Sequence, residues 1–292
     1  MYRDGVLIPR KARRRCLIVA MLCATAVVVS HRTEVFAHGT SHEMIESVSR
    51  EIAMRPDDAS LYLRRANLEI EHGDWRAGLL DVEESERKQK EDLGAGLVRA
   101  RALSAGGFLA EAKAALDRFL TVHPEHAAAL VQRARVFGAL GQKAEAAEEF
   151  VRAMSHVPQP EPDQVFELVA LLCAAGREAD ALAAIDRALK VTPGVPSLVE
   201  CGVKIEIGLA HFDAALRRIE EAIAATKIKE PLMARRAAVL AQAGRIAESL
   251  AAWRELQVRL AALPAAERES HAMSSLSERT RHAIGALTSL HP

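Results

Sequence analysis

The sequence predicts an all-α fold, an α-solenoid of about six helix-turn-helix repeats with a capping helix at each end. A short motif recurs every 34 or 35 residues, apolar residues follow helical spacing on both sides of it, and glycine or proline stands where helices should stop. Half of the 292 residues are apolar but only 4% are aromatic. This composition excludes a disordered chain, a disulfide framework and a polytopic membrane protein.

Residues 1–37 differ from the rest in composition and are predicted to be a signal peptide. A basic cluster at 10–15 precedes fifteen uncharged, mostly apolar residues, Cys16 to Ser30. At about 1.5 Å per residue this stretch reaches about 22 Å, less than the ~30 Å hydrocarbon core of a bilayer. Val35-Phe36-Ala37 offers small residues to an export peptidase, so we expect cleavage after Ala37 and a periplasmic or otherwise extracytoplasmic chain. The alternative is an uncleaved inner-membrane anchor formed by residues 16–30.

The charge balance argues against nucleic acid as a partner. The whole chain carries 39 basic and 39 acidic residues, and loss of the leader leaves 32 and 37 of them. The processed chain is therefore mildly acidic, and it presents no general attraction for polyanions. A membrane is expected as a partner only if the leader stays attached.

Residues 38–58 are predicted to be a linker and a front capping helix. The helix runs from Met44 to Met54 and is followed by Pro56. An open stack of hairpins exposes an apolar face at each end, and this helix is interpreted as a lone second helix that covers the front.

The repeats themselves occupy residues 59–263. The segment Gly73–Leu79 recurs in altered form at 107–113, 141–147, 176–182, 210–216 and 244–250. The sixth residue of each copy is small, and these residues are spaced by 34, 34, 35, 34 and 34: Gly78, Ala112, Ala146, Ala181, Ala215 and Ser249.

Each copy reads as the turn between two helices. Gly141, for example, can take the left-handed conformation that ends a first helix. Proline then closes three of the units, at Pro124, Pro158 and Pro193. Repeat five departs from the pattern, because Ala210 replaces its turn glycine.

This arrangement resembles the tetratricopeptide-repeat family. Four positions in each repeat carry the resemblance. One is a small residue in the first helix, two are small residues early and late in the second helix, and the fourth is a large residue between those two. The large residues are Val82, Leu116, Phe150, Ile185, Ile219 and Trp253. The family's small residues let helix axes approach to roughly 8 Å, so the pattern has a cause in packing.

The resemblance implies a ligand groove lined by the first helices. Mapped by repeat, its predicted lining is Leu63, Asn67, Ile70, Arg101, Arg135, Phe166, Cys173, Lys204 and Ile207. Arg101, Arg135 and Lys204 recur at one position, which indicates a partner with an acidic, extended segment, anchored by apolar side chains at Leu63 and Phe166. The alternative is that these cations are merely solvated. The Lys and Asn set of chaperone-binding members is not reproduced.

The rear segment, residues 264–292, is predicted to be an amphipathic capping helix. Its apolar residues follow helical spacing: Met273, Leu276, Ile284 and Leu287. The alternative is a helix that docks onto another protein.

The sequence offers little that could carry chemistry. It contains no nucleophile elbow, phosphate-binding glycine loop or zinc-ligand spacing. The repeats and caps also account for almost all residues of the processed chain, which leaves no room for a separate catalytic domain. Cys173 and Cys201 lie six residues out of register and are interpreted as small apolar residues rather than a disulfide.

The predicted function is therefore a noncatalytic scaffold without a cofactor, which binds a protein or peptide in the cell envelope. Two alternatives remain: a structural oligomerisation module, and a copper carrier that uses His38 and His42 at a processed amino terminus.

Overall fold

The computed structural model describes residues 34–89, 93–192 and 195–290, and in these ranges every regular element is a helix. Most of the predicted leader, and Pro193, lie outside the described residues. Among the described residues, no helix combines the length and the hydropathy that a membrane-spanning helix requires. The described residues form two compact units, which divide between Arg177 and Glu178.

The first unit contains three helical hairpins between a front helix and one further helix. Its helices are α1 (Glu34–Met54), α2 (Ala59–His72), α3 (Trp75–Lys88), α4 (Leu93–Ala105), α5 (Leu109–Val122), α6 (Ala127–Ala139), α7 (Lys143–Ser155) and α8 (Pro162–Ala174). The hairpins are α2/α3, α4/α5 and α6/α7.

The second unit begins with a lone helix and continues with two hairpins, a four-residue helix and a rear helix. Its helices are α9 (Glu178–Val191), α10 (Pro196–Gly208), α11 (Phe212–Ala225), α12 (Glu230–Gln242), α13 (Ile246–Ala262), α14 (Ala265–Arg268) and α15 (His271–Leu290). The fourth predicted repeat thus gives α8 to the first unit and α9 to the second. The all-α repeat fold is confirmed.

The repeat positions explain how the hairpins pack. The six large second-helix residues, Val82 to Trp253, are all buried, and the early small residues are buried beside them. At Gly78 a Cβ would lie 2.7 Å from Cγ1 of Ile70 and 3.1 Å from the carbonyl oxygen of Ala66. A side chain at this position therefore has almost no room, which is the physical reason for a small residue early in the second helix.

Two serines at the small positions donate hydrogen bonds from their hydroxyls to backbone carbonyl oxygens. Ser85 donates to the carbonyl oxygen of Ala59 at 3.0 Å, and Ser249 donates to that of Ala237 at 2.7 Å. Both serines are fully buried. These bonds join the two helices of a hairpin and remove the cost of burying a hydroxyl.

The turns between paired helices require the left-handed backbone region. Five of the predicted turn glycines, among them Gly73 and Gly244, have φ between 74° and 97°. Ala210, which stands in for glycine in repeat five, is held at φ 61°. Its Cβ is strained there, because an L-residue in this region crowds the following carbonyl oxygen.

The variant Ala210→Gly is expected to raise the free energy of unfolding by about 0.5–1 kcal/mol, since glycine removes this strain but has more freedom in the unfolded chain. The midpoint of urea unfolding, followed by circular dichroism, measures the change. Ala243→Gly is the matched control, because Ala243 ends α12 with right-handed φ −75° and should be destabilised by glycine. A loss of stability in Ala210→Gly would contradict the strain.

The front helix packs in register with the second helices of the repeats. In α1, Val48 holds the position of Val82 and is fully buried, and with Ile52 it packs against Leu61 and Tyr62 of α2. The helix begins ten residues before the predicted span Met44–Met54, since its backbone is helical from Glu34.

The rear helix packs on the last hairpin. Leu276 and Leu287 of α15 are buried, and Met273 and Ile284 lie partly buried against the same core, which includes Leu260 of α13. All four predicted apolar residues of α15 therefore contribute to the core of this unit.

Candidate functional site

The predicted groove residues divide between the two units. Those on α2, α4, α6 and α8 belong to the first unit, and only Lys204 and Ile207, on α10, belong to the second. We define the first-helix face as five of the predicted residues on these four helices together with two glutamates that were not predicted: Leu63, Asn67, Arg101, Arg135 and Phe166, with Glu71 and Glu167.

Some predicted apolar anchors serve the core. Leu63 and Ile70 pack against Ala66, Val82 and their neighbours between the first two repeats. Ile207 packs against the core of the second unit. Phe166 and Cys173 are half-buried on α8. Of the two residues expected to receive apolar side chains of a partner, Leu63 is thus already engaged within the protein.

Arg101 is linked to the preceding repeat. Its Nη1 donates to Oδ1 of Asn67, and its Nη2 donates to Oε1 of Glu71 at 3.3 Å. Asn67 in turn donates from Nδ2 to the carbonyl oxygen of Leu63 at 3.0 Å. Asn67 and Arg101 stand at one position of successive repeats, so this chain of bonds runs from α2 to α4.

Arg135 is linked to the following repeat. Its Nε and Nη2 donate to Oε1 and Oε2 of Glu167, each at 2.7 Å, in a bidentate pair between α6 and α8. The carboxylate of Glu167 raises the pKa of the Arg135 guanidinium by accepting these hydrogen bonds. The side chain of Arg135 is still 52% exposed, so part of the guanidinium faces solvent.

Lys204 also has a carboxylate beside it. Its Nζ lies 3.9 Å from Oε1 of Glu200, one turn earlier in α10, and Oε2 of Glu200 accepts a hydrogen bond from Nε of Arg235 at 2.9 Å. All three predicted cations therefore have acidic neighbours: Glu71, Glu167 and Glu200. Sequence analysis missed these glutamates, although each stands three or four residues from the shared cation position of its own helix.

A second set of arginines has side chains that are less exposed than those of Arg101 and Arg135. Arg133 donates from Nη1 to Asp117 at 2.9 Å and from Nη2 to Glu149 at 2.8 Å. Arg65 forms two 2.7 Å bonds with Asp81 and a 3.0 Å bond with the hydroxyl of Ser49 in α1. Each arginine thus joins its own hairpin to the helix before it.

Repeat five makes the same link with the charges exchanged between helices. Arg218 comes from the second helix, α11, and donates to Glu206 of α10 at 2.8 Å and to Asp186 of α9 at 2.5 Å. Burial lowers the pKa of Arg218, but the two carboxylates outweigh it, so the net pKa is raised. We call Arg65, Arg133 and Arg218 the staple arginines.

Gly202 makes this exchange possible. It holds in α10 the position that Arg65 and Arg133 hold in α2 and α6. A Cβ on Gly202 would lie 2.7 Å from Nε of Arg218 and 2.8 Å from its Cδ. The missing side chain leaves the space through which Arg218 reaches Glu206.

The metal and cysteine predictions involve residues that the structure describes only in part or that belong to different units. In the described parts of the chain, no group of three or more His, Cys, Asp or Glu side chains could hold a metal ion. His42 lies 3.5 Å from Glu46, with its ring 6.4 Å from that of His72. The side chain of His38 is outside the described residues. Cys173 and Cys201 are half-buried and belong to different units.

Comparison with known proteins rests on structure alone, because no family model and no curated protein matches the chain. The C-terminal part of a TPR repeat-containing protein from Cytophaga hutchinsonii aligns over 87% of this chain and 92% of its own, with 15% identity and a TM-score of 0.52. This chain has the tetratricopeptide-repeat fold. The resemblance inferred from the sequence is thereby confirmed at the level of fold.

Two further solved structures are similar to this chain. A chain of Naa15/Naa10 bound to HypK-THB has 14% identity and a TM-score of 0.57; the alignment covers 80% of this chain and 37% of that one. A tetratricopeptide repeat protein from Parabacteroides merdae aligns over 92% of this chain and 99% of its own, with 13% identity and a TM-score of 0.46.

Proposed function

We propose that the chain is a noncatalytic scaffold that binds a protein or peptide through the first-helix face. The observation that supports this most is the row of polar side chains in the first unit, where Asn67, Arg101 and Arg135 hold one position of three successive repeats. Rigid hairpins hold these side chains in place, so little conformational entropy is lost on binding. Arginine is also common among the residues that dominate binding energies.

Assembly with other proteins agrees with the use of this fold elsewhere. The Naa15/Naa10 structure contains HypK-THB as a bound component. The noncatalytic part of the proposal rests on the sequence, in which repeats and caps fill nearly all of the processed chain.

Cell-envelope localisation is the second part of the proposal, and it rests on the composition of residues 1–37. Mass spectrometry of the amino-terminal peptide of the envelope-bound protein distinguishes a chain that begins at His38 from one anchored by residues 16–30. A full-length chain in the soluble cytoplasmic fraction would overturn export.

The double variant Arg101→Ala/Arg135→Ala is expected to reduce partner capture about tenfold, since it removes the two cations of the first-helix face. The partner is first identified by cross-linking the native protein in intact cells, and its capture by each variant is then quantified. Neutral alanine is preferred to glutamate, because a glutamate would be placed beside Glu71 and Glu167 and would add repulsion of its own.

The matched control is Arg118→Ala/Lys143→Ala, which removes the same charge from exposed positions on α5 and α7. Circular dichroism should show the same helicity for both double variants. If both lower capture equally, or if neither does, the first-helix face is not the binding surface.

A further inference from the structure

Two glutamates accept hydrogen bonds from the arginines of the first-helix face. Glu167 engages both nitrogens on one edge of the Arg135 guanidinium, and Glu71 accepts from Arg101. Both glutamates are partly exposed, with side-chain exposures of 30% and 61%. Their charges therefore lie close to any anionic ligand that binds these arginines.

The arginines nevertheless keep donors for a ligand. A guanidinium carries five N–H groups, and Glu167 takes two of those on Arg135. A ligand carboxylate can bind the opposite edge of Arg135, but it is repelled by the charge of Glu167 nearby. One carboxylate gains little under these conditions, whereas several on one chain add their attractions at Arg101 and Arg135.

We propose that Glu71 and Glu167 are specificity-determining residues of the first-helix face, which weaken its attraction for anions so that only a peptide with several acidic side chains binds. This inference rests on the proposed function of that face. The occupant follows from charge: the two arginines on α4 and α6 belong to one unit and are matched by two or more carboxylates on one extended segment.

The test compares peptide binding by the full chain and by the double variant Glu71→Gln/Glu167→Gln. The probes are fluorescein-labelled peptides: one of alternating Glu and Ser, one of Gln and Ser with a single Glu, and one of Gln and Ser only. The variant is expected to bind the Glu-Ser peptide about threefold to tenfold more tightly at low salt. Its affinity should fall more steeply with salt. It should also bind the peptide with a single Glu, whereas the native chain is expected not to bind that peptide.

The matched control is Glu111→Gln/Glu148→Gln. These glutamates are exposed on the second helices α5 and α7, so their replacement changes the net charge of the same unit by the same amount. Circular dichroism establishes that both variants keep their helices.

Three results would overturn the inference: equal tightening in the control, which would mean a general effect of net charge; unchanged or weaker binding in Glu71→Gln/Glu167→Gln; and no binding of the Glu-Ser peptide by any form. None of these would by itself refute the scaffold, which is judged by capture of the native partner in Arg101→Ala/Arg135→Ala.

Discussion

Replacing Arg218 with methionine is expected to lower the free energy of unfolding by about 3–5 kcal/mol, because it leaves a buried carboxylate without its cation. The side chains of Arg218 and Glu206 are only 11% and 5% exposed. Without the guanidinium, Glu206 must stay charged in a poorly hydrated site or take up a proton. Urea unfolding followed by circular dichroism measures the loss.

Two further variants separate this mechanism from simple loss of a side chain. Arg217→Met changes the neighbouring exposed arginine of α11 and should leave stability nearly unchanged. Arg218→Met with Glu206→Leu should recover most of the loss, because an apolar pair often replaces a buried ion pair without cost. A double variant as unstable as Arg218→Met alone would show that the charge of Glu206 is not the cause.

Replacing Phe150 with alanine is expected to cost about 3–5 kcal/mol, from lost burial and from the cavity left behind. Phe150 is fully buried at the large position of the α6/α7 hairpin, next to the small residues Ala146 and Ala153. Small neighbours cannot extend to fill the gap. Thermal unfolding by circular dichroism should show a lower midpoint.

The control for this site is Glu148→Ala, an exposed position of the same helix, which should change stability by less than about 0.5 kcal/mol. A loss below about 1 kcal/mol in Phe150→Ala would mean that the hairpins close around the gap, against the close packing described here.

The hairpin architecture was predictable because its causes are local or periodic. The small residues repeat every 34 or 35 positions, and their packing role is clear from that period alone. The turn at Ala210 was also recognisable, because neighbouring repeats place a glycine there. The repeat register did not predict the start of α1. Gly39 stands 34 residues before the turn glycine Gly73, so the register predicts a turn there, but Gly39 lies inside a continuous helix.

The staple arginines were not predicted, because their partners are distant in sequence. Arg218 reaches Glu206 across 12 positions and Asp186 across 32. Only the assembled helices bring these charges together, and only they show that Gly202 is required by a side chain of the facing helix.

The arginines of the candidate site were predictable from the sequence, but their carboxylate partners were not. Repeat position located Arg101 and Arg135, but Arg135 and Glu167 are 32 positions apart and meet only through the packing of α6 beside α8. Whether a cation on a helix face is solvated or engaged by a carboxylate depends on this packing, which composition and period do not contain.

The staple of the third repeat limits how the chain could be shortened by protein engineering. Glu83 holds in α3 the position that Asp117 holds in α5, so excision of one 34-residue period between them would still supply Arg133 with an acid. Excision of two periods would instead put the hydroxyl of Ser49 in that place. Loss of one module would therefore preserve both carboxylates around Arg133, whereas loss of two would leave it with Glu149 and a hydroxyl, the arrangement that Arg65 already has with Asp81 and Ser49.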